Sequence, residues 1–348
     1  MCTFSMIIKT LLLCLCLTAC NDNEEVYSTT LPEQETKAET SSGYTSLLNK
    51  TGSVPAEYMQ EATSKGSIVQ IDYDTQNYVD GNGEIRLNTA YVYLPYGYEE
   101  SSDECYDVFY FVHGHGETAA SFFQNENGML RNLLDHMMEN EDMAPAIVVS
   151  TSYVYGTPVD YYPDADPYCK ALPQEMVSNL IPLVESCYRT YAQNTDLEGL
   201  QASKHHRAIG GFSMGAVTTW YALEYAQDYF KYFMPISSDG WSLGRFAGMD
   251  YPDETAAHLA DIVRSSSIPE NDFYIWACSG TDDVAYDRIW TQVQAMAKLT
   301  DVFDVNHLTF HEQENARHDF RSLAEYFYNA LPFMFSNLSL RRRTIIRH

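Results

Sequence analysis

Five short apolar runs, at 108–112, 146–149, 207–212, 232–236 and 273–277, are separated by stretches of helical periodicity, and this alternation constrains the fold more than any other feature. A strand that is apolar at every position must be buried on both faces. Strands of that kind separated by helices describe a parallel sheet covered on both sides. The helical stretches fall at 120–139, 174–192, 216–227, 255–265, 286–299 and 320–335. In the second, Met176, Leu180, Val184 and Tyr188 recur every fourth position and form one buried stripe, which Pro182 is expected to kink. Upstream, 67–73 and 85–94 are β-branched and aromatic around Asp80-Gly81-Asn82-Gly83, the pattern of an antiparallel hairpin. No fixed-period repeat is present, which argues against solenoids and propellers.

The chain has 348 residues, enough for one large α/β domain with a leader and a linker. Residues 1–19 carry Lys9 and an apolar run at 11–17 that is too short to span a bilayer, so they read as a secretion signal. Leu17-Thr18-Ala19-Cys20 resembles a bacterial lipobox, which implies cleavage before Cys20 and acylation of that cysteine. The expectation is a secreted bacterial lipoprotein on the outer membrane or cell surface, anchored by lipid without crossing the bilayer. Residues 20–50 read as the lipidated cysteine and a polar linker, 51–336 as the folded domain, and 337–348, with Arg341, Arg342, Arg343 and Arg347, as a basic tail. The acidic stretch 21–25 fits both a surface-export signal and a solvated linker.

Net charge is −27, and removal of residues 1–19 leaves −28 because Lys9 is the only charged residue there. This charge argues against nucleic acid as a partner, since phosphate binding requires a concentrated positive field. Cys105, Cys169, Cys187 and Cys278 are irregularly spaced, which suggests neither a metal site nor a disulfide framework. One disulfide is possible in an oxidising compartment, and buried free thiols are the expected state. No metal and no organic cofactor is called for.

The third apolar run leads into Gly211-Phe212-Ser213-Met214-Gly215, with a helical stretch after it. Strand, glycine-flanked serine and helix together read as a nucleophile elbow, in which a strained turn projects the serine hydroxyl beyond the carboxyl end of its strand. A serine alcohol needs a neutral imidazole to take its proton as it attacks, and the imidazole needs a carboxylate on its other nitrogen. His318, in a loop that opens the last helix, is the expected base, and His311, inside a strand-like run, is the weaker rival. Asp283, just beyond the fifth apolar run, is the expected acid, with Asp282 second. Asp287 reads as an ordinary first-turn acid of the next helix. The tetrahedral oxyanion requires two backbone N–H donors. Met214 supplies one. The loop His113-Gly114-His115-Gly116-Glu117 supplies the other from His115 or Gly116. The order Ser, Asp, His is that of α/β-hydrolase triads.

Beyond these loops the chain resembles the feruloyl esterase and acetyl xylan esterase group of carbohydrate esterases, similar to esterase modules of bacterial xylanases. The resemblance spans about 66–335 and rests on Tyr91-Val92-Tyr93-Leu94-Pro95, the His-Gly loop, 211–221, 232–235, Gly280-Thr281-Asp282-Asp283-Val284-Ala285-Tyr286 and 330–333. It implies an α/β-hydrolase fold with Ser213, Asp283 and His318 as the triad, an aromatic acyl pocket and a glycan leaving group. Trp241 and Tyr155 are the candidate pocket residues, and feruloylated or acetylated plant polysaccharide is the implied partner. Such esterases often carry a more glycine-rich oxyanion loop and a Trp after the histidine, where this chain has His115 with Glu117, and Asp319-Phe320. The alternatives are an acetyl xylan esterase, an esterase of siderophores or other small esters, and a non-catalytic glycan-binding lipoprotein, which requires a broken triad.

Overall fold

A computed structural model describes residues 48–155, 159–266 and 272–335. The expectations for the leader, for Cys20, for the linker up to residue 47 and for the tail 337–348 lie outside the described residues.

Nine strands form one sheet: β1 (Leu48–Lys50), β2 (Ser67–Gln76), β3 (Ile85–Leu94), β4 (Asp107–Val112), β5 (Ala146–Thr151), β6 (Arg207–Phe212), β7 (Tyr232–Ile236), β8 (Tyr274–Gly280) and β9 (Leu308–Gln313). Their order is β1-β9-β8-β7-β6-β4-β5-β3-β2. The run from β1 to β5 is parallel throughout. β3 pairs antiparallel with both β5 and β2, so the expected hairpin closes one side of the sheet. Every residue of β5, β6 and β8 is buried, which is why those segments read as continuous apolar runs. One face packs against Asp166–Glu175, Met214–Tyr225, Pro252–Ser265 and Tyr286–Met296, with Leu172, Val217, Leu259 and Ile289 among the buried contacts. The other packs against Met129–Glu139 and Leu323–Met334 through Leu133, Phe327 and Leu331.

Chain order reverses between β4 and β6: β5 lies on one side of β4 and β6 on the other. In open α/β sheets such a switch point parts the loops at the carboxyl ends of the strands and leaves a crevice for a ligand. The loops that follow β4 and β6 are the His-Gly loop and the serine turn.

Several elements differ from expectation. β1 lies in the expected linker and pairs in parallel with β9, with Leu48 opposite Phe310. The helical stretch 120–139 is broken: Glu126, Asn127 and Gly128 take φ of 50°, 60° and 76°, leaving Ser121–Gln124 and Met129–Glu139 as separate helices. The stretch at 174–192 begins earlier, at Asp166 with Pro167 in the first turn, where a missing N–H is harmless, and ends at Cys187. Its expected kink takes the form of a π-helical turn, Met176–Leu180, just before Pro182, whose ring cannot donate into the helical ladder. Cys169 and Cys278 are buried free thiols as expected, and Cys187 is free but exposed.

The foot of β6 is anchored by a buried ion pair. Arg207 donates from Nε and Nη2 to the two carboxylate oxygens of Glu185 at 2.5 and 2.9 Å, and from Nη1 to the carbonyls of Leu200 and Tyr229. Both side chains are almost fully buried, and their remaining hydrogen-bonding capacity is met by Ser203, Tyr110 and Thr190.

Candidate active site

The turn after β6 holds Ser213 at φ 55°, ψ −110°, a conformation L residues rarely adopt. Two glycines make it feasible. A Cβ on Gly211 would lie 2.3 Å from the Gly215 carbonyl oxygen, and a Cβ on Gly215 would lie 2.0 Å from that of Val112, so helix and strands approach at backbone distance. Met214 opens the helix Met214–Tyr225, and its N–H belongs to the first turn, which has no intrahelical acceptors.

The base and the acid arrive on adjacent strands. The loop after β8 and the loop after β9 are joined by Asp282 N–H to the Ala316 carbonyl (3.0 Å) and Asn315 N–H to Thr281 Oγ1 (2.8 Å). Gly280 permits this contact, because a Cβ there would lie 2.2 Å from the Ala316 oxygen. His318 Nε2 lies 3.0 Å from Ser213 Oγ and its Nδ1 lies 2.8 Å from Asp283 Oδ1. A carboxylate only accepts, so Nδ1 carries the proton in the neutral ring and Nε2 is left to accept from the serine. Asp283 is buried, and its Oδ1 also accepts from Ala285 N–H at 2.7 Å. The His318 ring packs on Phe212 with centroids 4.6 Å apart.

The rivals lie elsewhere. Asp282 and Asp287 are exposed. His311 is buried in β9, stacked on Trp276 at 3.5 Å and within 3.0 Å of Thr309 Oγ1, and burial pushes its pKa down to about 3.

A pocket of about 420 Å³ opens over the serine, with Gly114, His115, Met214, Trp241, Arg288 and His318 among its walls. Trp241 is anchored by its Nε1, which donates to the buried Asp239, and its ring lies edge-on to Phe246, centroids 4.9 Å apart. One expectation needs correction. Tyr155 does not line the pocket, because its hydroxyl donates to Glu175 in a polar cluster shared with Tyr73 and Asn88. Of the two donor candidates in the His-Gly loop, His115 lines the pocket and Gly116 is exposed, at φ 79°. Sequence reasoning missed Tyr162 and Arg288 as pocket residues. The aromatic pair at 161–162 was a visible signal, whereas nothing around Arg288 set it apart from a solvated helix face. Among the described residues no group of three or more His, Cys, Asp or Glu is placed to hold a metal ion.

A parallel sheet with a strained serine turn at its switch point and a histidine hydrogen-bonded to that serine is the α/β-hydrolase architecture. The Esterase family model matches residues 86–336, and the chain belongs to that family. Endo-1,4-beta-xylanase Y of Acetivibrio thermocellus is 35% identical over 288 residues, covering 81% of this chain and 24% of that protein. The chain thus spans about a quarter of the length of this curated relative. A variant of the feruloyl esterase module from Clostridium thermocellum, complexed with sinapinate, superposes with a TM-score of 0.71 at 32% identity, covering 84% of this chain and 96% of that one. A ferulic acid esterase from Anaeromyces mucronatus shares the fold, with a TM-score of 0.60 at 18% identity over 82% of this chain and 97% of that one.

Proposed function

We propose that this chain is a serine esterase that releases hydroxycinnamate, chiefly ferulate, from plant cell-wall polysaccharide such as arabinoxylan. The observation that carries the reading is the hydrogen-bonded line Ser213–His318–Asp283 at the floor of a pocket walled by Trp241. Ser213 Oγ attacks the ester carbonyl as its proton passes to His318 Nε2, and Asp283 stabilises the imidazolium. The N–H groups of Met214 and His115 receive the oxyanion. His318 then protonates the departing sugar oxygen, and a water deprotonated by the same nitrogen hydrolyses the feruloyl-serine ester.

An aromatic acyl group suits a pocket of this volume, which lies in the range of sites for whole small molecules, whereas an acetyl group fills little of it. Trp241, in the pocket wall, offers the ring contact an aromatic acid uses. The similarity to a feruloyl esterase module bound to sinapinate supports the same choice. Lipidation at Cys20 and a place on the outer membrane or cell surface belong to the proposal, on the strength of the lipobox-like Leu17–Cys20, as do the leader, linker and tail boundaries.

The test compares methyl ferulate with acetylated xylan. Faster ferulate release is expected, and a larger rate of acetate release would reassign the enzyme to xylan deacetylation.

A further inference from the structure

The oxyanion loop contains a charged side chain to which the mechanism above gives no part. Glu117 lines the pocket and its Oε2 accepts from the Gly114 N–H at 3.3 Å. Its own N–H turns back to the Gly114 carbonyl at 3.4 Å. That carbonyl also accepts from His113 Nδ1 at 2.7 Å, and the His113 ring is buried, with Nε2 at 2.9 Å from Ser152 Oγ. Burial holds the His113 pKa down, to about 4, so the ring is neutral near pH 7, and the Nδ1 proton goes to the carbonyl. Gly114 is therefore gripped at both its N–H and its C=O.

This grip fixes a direction. The peptides of the described residues are all trans, and in a trans peptide the N–H points opposite to the C=O of the same unit. With the Gly114 carbonyl turned to the buried His113 ring, the His115 N–H is turned away from the interior, to the pocket that His115 lines. The loop also stands close to the nucleophile: a Cβ on Gly114 would lie 3.1 Å from Phe212 Cδ1 and 3.5 Å from Ser213 Cβ. Glycines flank His115 on both sides, so the backbone there has little intrinsic stiffness. An oxyanion donor is effective only when it is oriented before charge develops.

We propose that Glu117 is a positioning residue whose carboxylate, together with the His113 ring, clasps Gly114 and so aims the His115 N–H at the oxyanion above Ser213. The proposal rests on the esterase reading of the site. An acceptor atom at this position is what the clasp requires. A glutamine keeps a strong one, whereas alanine has none and methionine only a weak thioether acceptor.

The experiment measures kcat and KM for p-nitrophenyl acetate and methyl ferulate in wild type, Glu117→Gln, Glu117→Ala and Glu117→Met. It also measures inhibition by an arylboronic acid, which forms a tetrahedral adduct with a nucleophilic serine, and by ferulate, which does not. The Ala and Met variants are expected to lose about tenfold or more in kcat, a part of what deleting a whole oxyanion donor removes. Their KM and ferulate inhibition should stay within about twofold of wild type, while boronate inhibition weakens about as much as kcat falls. Glu117→Gln should recover most of both. Unchanged kcat and boronate inhibition in the Ala and Met variants would overturn the proposal. So would equal losses in Gln, Ala and Met, or a rise in KM alone. A wild-type chain without Ser213-dependent turnover would sink the esterase reading and this proposal together, whereas an active wild type with indifferent Glu117 variants sinks only the clasp.

Discussion

Asp283 and Asp282 are adjacent in sequence and differ completely in setting, so paired Asn variants test the site sharply. Asp283 is buried, its Oδ1 accepts from both His318 Nδ1–H and Ala285 N–H, and its Oδ2 is buried with no hydrogen-bond partner among the described residues. An asparagine has two ways to sit there. With its oxygen at the Oδ1 position, the imidazole tautomer survives, but a buried NH₂ faces no acceptor and the imidazolium formed in the transition state loses its counter-charge. With the amide turned over, the NH₂ opposes two N–H donors and forces the proton onto His318 Nε2, which then cannot take the serine proton. At an effective dielectric of about 20, unit charges about 4 Å apart attract by about 4 kcal/mol. That alone corresponds to about 10³ in rate, and the wrong tautomer brings the loss to about 10⁴. Asp282 is exposed and is tied to its neighbours through its backbone N–H, so Asp282→Asn should stay within about twofold of wild type. The assay is kcat/KM for methyl ferulate, with thermal unfolding as a folding control. A folded Asp283→Asn variant within tenfold of wild type, or a large loss in Asp282→Asn, refutes the assignment.

Two further outcomes concern the scaffold. Arg207→Ala leaves the Glu185 carboxylate buried without its partner, and unfolding in urea should show a loss of about 3–5 kcal/mol, whereas replacing both residues by Met should be much milder; equal losses in the two would contradict the ion-pair account. His311 and His113 are held neutral mainly by burial, to about 3 and about 4, while in the unfolded chain each titrates at about 6.5. The unfolded state therefore binds more protons below about pH 6.5, and stability falls as pH drops from there towards 4, by about 1.4 kcal/mol per pH unit for each histidine. His311→Phe, which keeps a ring against Trp276, should remove about half of that slope, and an unaltered slope would show that other groups set it.

The parts of the fold that were legible are those where burial alone dictates residue type. β4 to β8 read directly because helices cover both faces, and the serine turn read because Gly211 and Gly215 are required at backbone contact distances. The base and acid loops read because they follow strands. What stayed hidden depends on partners distant in sequence. β1 is three residues long and owes its conformation to β9, which lies more than 250 residues away. Arg207 is the charged first residue of an otherwise apolar run, and only the folded chain sets Glu185 beneath it. Tyr155 sits after a strand end like a pocket residue, but the buried carboxylate of Glu175, at the end of the next helix, takes its hydroxyl. The choice between His115 and Gly116 was equally hidden, since it turns on which way one peptide plane faces.

The measurement closest to the central claim is a rapid-quench reaction of the wild-type chain with methyl ferulate, followed by mass spectrometry of the peptide that contains Ser213. The mechanism requires a transient feruloyl ester on Ser213 that forms and decays at rates compatible with turnover, and that is absent from Ser213→Ala, whose turnover should fall by at least ~10³. A feruloyl adduct on another residue, or near-normal ferulate release by a folded Ser213→Ala chain, would contradict it.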